Sequence, residues 1–108
     1  MPSEAETPLS IEVHQEGETA TLTLVGELDP HTAPLLSDEL ENLVDEGAST
    51  VVLVLAGLGF IDSSGLRVLI AADRDLTERG GTLVLRSPSD TVRRLLEITG
   101  LLDHLTTE

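Results

Sequence analysis

Thr50-Val-Val-Leu-Val-Leu-Ala56 is apolar at every position after its first, whereas the two strand candidates that precede it alternate. A short unbroken run rich in β-branched residues is the pattern of a strand covered on both faces, as in the middle of a parallel sheet. It predicts a central strand, with crossover helices to bring the neighbouring strands round in the same direction.

The flanking segments supply those elements. Leu9, Ile11 and Val13 share one parity, and after Glu16-Gly17-Glu18 the residues Ala20, Leu22 and Leu24 alternate with Thr19, Thr21 and Thr23. Two strands joined by a tight glycine turn make a hairpin, and Asp29-Pro30 stops the second. Thr32 is placed as the N-cap of a helix with Pro34 in its first turn; Leu36, Leu40, Leu43 and Val44 form its inward stripe, and Gly47 ends it. A second helix is expected from about Ser64 to Arg79, with Leu66, Leu69, Ile70 and Leu76 inward and Gly80-Gly81 closing it. Thr82–Arg86 reads as a short strand. Ser87 then looks like an N-cap, with Pro88 at N1 and Asp90 at N3 of a third helix running through Val92, Leu95, Leu96 and Ile98 to Gly100. The stretch from Leu101 to Glu108 is too short for more than an edge strand. The expected fold is a single α/β domain over residues 9–108, in which an N-terminal antiparallel hairpin feeds parallel βαβ crossovers with about three helices. Residues 1–8 combine two Pro, two Glu, Ser and Thr without apolar period, and are expected to be a flexible acidic tail.

Charge narrows the function. The 108 residues carry a formal charge of −14, and all six cations are Arg, the first of them Arg67. Residues 1–66 therefore carry only carboxylates among their permanently charged side chains. Such a field repels phosphate backbones and anionic lipids, and with Phe60 as the only aromatic residue there is no stacking platform for a single strand. No nucleic-acid or membrane contact is expected, and the acidic N-terminus does not resemble a signal peptide, so the expected location is cytoplasmic. Without Cys there is no disulfide, thiol nucleophile or zinc knuckle. His14, His31 and His104 lack ligand spacing, so neither a metal site nor a cofactor is expected.

The loop after the central strand is where an α/β sheet places a site. Gly57-Leu-Gly59 begins like a dinucleotide fingerprint, but Asp62 stands where the third glycine would meet a pyrophosphate. Ile61-Asp-Ser63-Ser-Gly65 is half of a nucleophile elbow, and with Asp103 and His104 a hydrolase triad is formally possible. On residues alone, Asp62-Ser63-Ser64 reads most simply as a helix N-cap.

Gly26-Glu-Leu-Asp29 with His31-Thr32-Ala33, followed about thirty residues later by Phe60-Ile-Asp-Ser-Ser-Gly-Leu66, resembles the STAS domains of bacterial anti-sigma factor antagonists. The resemblance runs from about Leu9 to Leu105. It implies a STAS-type fold and a protein that is not an enzyme. It also implies a partner, an anti-sigma factor with ATP-dependent serine kinase activity, which phosphorylates the first serine of the motif and thereby loses its grip. Carried over, the phosphoacceptor is Ser63, and a serine phosphatase would reset it. The implied docking surface comprises Asp29, His31 and Thr32 from the first motif. From the second it takes Asp62, Ser63, Ser64, Gly65, Leu66 and the adjacent Arg67. The chain departs from the family pattern in its acidic Pro-containing N-terminus and in lacking a further C-terminal helix. A monomer or weak dimer is expected. A kinase substrate needs a presented hydroxyl and a docking face but no base, metal or phosphate loop of its own, which fits the lack of catalytic motifs. The alternative is a STAS-type nucleotide or small-molecule sensor with the Gly57–Gly65 loop as its pocket.

Overall fold

The computed structural model describes residues 8–108. In chain order the elements are β1 (Leu9–Glu16), β2 (Thr19–Leu28), α1 (Ala33–Asp45), β3 (Thr50–Ile61), α2 (Ser63–Glu78), β4 (Thr82–Arg86), α3 (Asp90–Thr99) and β5 (Thr106–Thr107), with one 3-10 turn over Leu101–Asp103. One five-stranded sheet has the order β1-β2-β3-β4-β5, antiparallel at the hairpin and parallel throughout the rest. The mixed α/β architecture expected from the sequence is the one observed. The expected tail lies outside the described residues except for Pro8, whose carbonyl accepts a hydrogen bond from the Glu27 N–H at 2.7 Å.

Strand order that follows chain order has a geometric consequence. Right-handed crossovers between successive neighbours return on the same side of the sheet each time, so α1, α2 and α3 share one face. Ala20, Val51 and Leu83 are register partners across that face, as are Leu22, Leu53 and Leu85. They form a single buried cluster with Leu36, Leu40 and Leu43 of α1, Leu66, Leu69 and Leu76 of α2, and Val92 and Leu96 of α3. Nearly all of it is Leu and Val, whose branched side chains interdigitate between helix and sheet without polar groups to satisfy.

The opposite face carries no helix among the described residues, so cover of β3 on both faces is not what its apolar run encodes. On that side Val52 is buried between Thr21 and Val84 of the flanking strands, Val54 is half-buried, and Val25 and Phe60 are exposed. Adjacent strands stand only about 4.8 Å apart, close enough for side chains in neighbouring rows to shield the middle one.

Three local expectations are corrected as well. The segment Gly57–Ile61 continues β3 instead of forming a loop; register shifts opposite Thr23/Val25 and Gly26/Glu27 let it stay paired with β2 to Leu28. The cap of α3 is Ser89, whose Oγ accepts from the Val92 N–H (3.3 Å) while donating to the Leu58 carbonyl (2.6 Å). Ser87 sits two residues earlier at φ +51. Ile98 points outward, 73% exposed, because the buried stripe of α3 runs through Val92 and Leu96. The C-terminal stretch forms the short edge strand β5, as expected.

Candidate functional site

Leu28 and Ile61 are register partners at the ends of β2 and β3, so the two sequence motifs leave the sheet side by side. The Asp62 N–H donates to the Leu28 carbonyl (3.2 Å), tying the start of α2 to the end of β2. Each motif then organises its own turn.

After β2, the Asp29 carboxylate accepts from the N–H groups of His31 (2.9 Å) and Thr32 (3.0 Å), an Asx-type turn that leads into α1. Thr32 holds the N-cap position but does not cap with its side chain. Its hydroxyl turns back instead, donating to the Glu27 carbonyl (2.8 Å) and accepting from the Asp29 N–H (2.8 Å). It is the buried polar side chain of the site, and its burial is tolerated because both hydroxyl functions are satisfied. The Thr32 backbone N–H, above all, holds the Asp29 carboxyl below the usual carboxylate range. Partial desolvation opposes this, while the His31 N–H, the Thr32 hydroxyl and the His31 imidazole add to it.

After β3, Asp62 caps α2. Its Oδ1 accepts from the N–H groups of Ser64 (2.9 Å) and Gly65 (3.3 Å), and its carbonyl accepts from Leu66 (3.0 Å). Ser63, the first residue of α2, is exposed, Ser64 is half-buried, and Gly65 and Leu66 face the core. Gly65 is required by proximity. A Cβ there would lie 2.7 Å from Leu28 Cδ2 and 2.8 Å from Ile61 Cγ1, so the first turn of α2 sits directly on the strand ends. That seating turns Ser63 away from the core.

Of the motif residues at this end of the sheet, Ser63, His31 and Arg67 are exposed and Asp29, Asp62 and Ser64 half-buried, while Thr32, Gly65 and Leu66 are buried beneath the surface that presents Ser63. A shallow depression beside it is lined by Pro30, Pro34, Asp38, Ser64, Arg67 and Val68 among others. Pro30, Pro34, Asp38 and Val68 were not expected at the site from the sequence, since only the side-by-side exit of β2 and β3 brings α1 against the start of α2. Leu35, 53% exposed on α1, was detectable as an apolar residue outside the inward stripe.

The competing chemistries find no assembled site. Gly57 and Gly59 lie within β3, so no glycine-rich loop opens a pocket there. Among the described residues no side-chain hydrogen bond links Ser63, Asp103 and His104, and the latter two lie on the segment between α3 and β5. A groove of about 360 Å³ lies between α1 and α2, lined by Val44, Val68, Ala72 and Leu76 with Glu41 and Asp75 at its rim. Among the described residues no helix is long and apolar enough to cross a membrane.

Residues 10–108 match the STAS domain. The chain belongs to the STAS domain family. It is 32% identical over 95 residues to the anti-sigma-B factor antagonist of Bacillus subtilis, covering 88% of this chain and 86% of that protein. Its fold matches that of the anti-sigma factor antagonist SpoIIAA in its unphosphorylated form with a TM-score of 0.80 at 28% identity, over 92% of this chain and 88% of the other. The phosphorylated form of the Bacillus cell fate determinant SpoIIAA matches with a TM-score of 0.74 at 27% identity, over 92% and 91% of the two chains. The STAS-type fold implied by the motifs is thus the fold of the chain.

Proposed function

We propose that this STAS protein is an anti-sigma factor antagonist. Unmodified, it binds an anti-sigma factor through the start of α2 and the Asp29–Thr32 turn, and a sigma factor is freed. The anti-sigma factor is a serine kinase that transfers the γ-phosphoryl group of ATP to the Ser63 hydroxyl; the product no longer binds it, and a serine phosphatase restores the starting state in the cytoplasm. The observation that carries this reading is the exposed Ser63 hydroxyl at the first position of α2, beside the Asp29 turn, in a chain whose relatives over most of its length are named as such antagonists.

The physical basis of the switch is local. Phosphorylation adds about −1.5 to −2 charges at the positive end of a helix, which stabilises the dianion and leaves a core built elsewhere undisturbed. Similarity to SpoIIAA in both phosphorylation states supports a fold that accommodates either form. Binding is lost at the interface, where a dianion must be desolvated or set against partner carboxylates, at a cost of about several kcal/mol.

The test is affinity capture from the native lysate, followed by binding measurements with the captured anti-sigma factor. Wild type and Ser63→Ala bind, Ser63→Asp binds weakly, and both variants keep the wild-type circular dichroism and similar melting temperatures. Equal binding by Ser63→Ala and Ser63→Asp refutes the switch; loss of binding by Ser63→Asp through unfolding refutes its electrostatic basis. Phosphopeptide mapping after incubation with the kinase and ATP locates the modification, and a phosphate on Ser64 would refute Ser63 as acceptor.

A further inference from the structure

A phosphoryl group on Ser63 meets a helix end whose donors are partly taken. The Asp62 carboxylate already accepts from the N–H groups of Ser64 and Gly65, and the Leu66 N–H is bonded to the Asp62 carbonyl. Asp62 also sets a negative charge next to the acceptor. The dianion therefore needs a countercharge from a side chain.

Arg67 is one helical turn further on, at i+4 from Ser63, and both residues are exposed. An anion at i and a cation at i+4 is the favourable order, with Cβ atoms about 5–6 Å apart on the same helix face. The guanidinium fork suits a phosphate better than any other side chain, because two N–H donors can meet two oxygens at once. Arg67 is also available: among the described residues the ion pairs are Arg79–Asp75 and Arg86–Glu108. Asp38 of α1 lines the same depression as Arg67 without lying within ion-pair distance of it. Arg67 is the first arginine in the chain and the next, Arg74, lies two turns further along α2; the other charged or titratable side chains at this end of the sheet include Asp62 beside the acceptor and Asp29 and His31 of the turn before α1.

Resting on the reading of Ser63 as phosphoacceptor, we propose that Arg67 is the intramolecular partner of the Ser63 phosphoryl group. Phosphorylation then changes the docking surface twice. It adds negative charge and it withdraws the guanidinium from any contact with the partner.

The test installs phosphoserine at position 63 biosynthetically, without the kinase, and follows the phosphate through its second ionisation, near pH 6 in an unpaired phosphoserine, by 31P NMR. Arg67 lowers that pKa, so Arg67→Gln raises it by about 0.3–0.7 units, Arg67→Lys falls between the two, and Arg74→Gln leaves it in place. Melting of the unphosphorylated Arg67→Gln protein verifies that the fold is intact. An unchanged pKa in Arg67→Gln overturns the pairing, and so does an equal rise in Arg74→Gln, which would make the effect one of net charge. Failure of the kinase to modify Ser63 would instead count against the acceptor assignment, which this titration does not use.

Discussion

Asp62 serves the first turn of α2 as a cap, and the contribution of that cap can be measured apart from its charge. In Asp62→Ala the N–H groups of Ser64 and Gly65 lose their acceptor at 2.9 and 3.3 Å, whereas the backbone bond from Leu66 to residue 62 is retained. Loss of an N-cap costs about 0.5–2 kcal/mol, and loss of a carboxylate beside the helix N-terminus about 0.3–1 kcal/mol more. Asp62→Asn keeps the cap and loses only the charge. The expected ladder is wild type, Asp62→Asn lower by about 0.5 kcal/mol, and Asp62→Ala lower by about 1.5–2 kcal/mol. At about 4 °C or more per kcal/mol for a domain of this size, the alanine variant melts at least about 6 °C below wild type. Thermal and urea melts followed by circular dichroism measure the ladder, and amide hydrogen exchange at Ser64 and Gly65 localises the loss. If Asp62→Ala were as stable as Asp62→Asn, the capping geometry would contribute nothing, and the placement of Ser63 would need another cause.

Gly65→Ala places a methyl against Leu28 and Ile61; an overpacking cost of about 1–3 kcal/mol, offset by about 1 kcal/mol of helix propensity, leaves it about 1 kcal/mol less stable in urea melts. Gly65→Val, bulkier and β-branched, is expected to fall further. Thr32→Val strips the Asp29 N–H and the Glu27 carbonyl of their buried partner and costs about 1–3 kcal/mol by the same assay. The lowered pKa of Asp29 has a defined sign: its contribution to stability is present above the unfolded-state pKa and is lost as pH falls through the lower folded value. A carboxyl NMR titration should therefore find Asp29 titrating below its value in the urea-unfolded chain, and Thr32→Val should move it part of the way back.

Much of this architecture was legible because it is written in local periodicity. Leu36, Leu40, Leu43 and Val44 mark the buried stripe of α1, and Ala20, Leu22 and Leu24 mark the inward face of β2, each set by a repeat that only one secondary structure satisfies. What escaped depended on the third dimension. Gly57 and Gly59 look like turn residues, yet register shifts accommodate them inside a paired strand. Ser87-Pro88 and Ser89 are both plausible caps, and the choice of Ser89 is tied to the Leu58 carbonyl, thirty-one residues away in sequence. An apolar strand buried by helices cannot be told by composition from one shielded by its neighbours, which is why one-sided cover of β3 was not foreseen. At the site, the motif residues were readable, but the contribution of Pro30 in the turn and of Pro34 and Asp38 in α1 was not, because it follows from the pairing of Leu28 with Ile61.

The sequential order of the strands makes the domain resemble a short stack of βα units, each packed chiefly on its neighbours in the chain. Cohesion in such a stack is greatest where a unit has neighbours on both sides and falls toward the ends. β3 and the start of α2 occupy the middle, while β1 and the two-residue β5 form the edges. Slow hydrogen exchange should accordingly peak in β3 and decline outward, so that the hydroxyl of Ser63 is carried by the part of the protein least prone to local opening. A partner would meet a preformed surface there, with little ordering entropy to set against the contacts it makes.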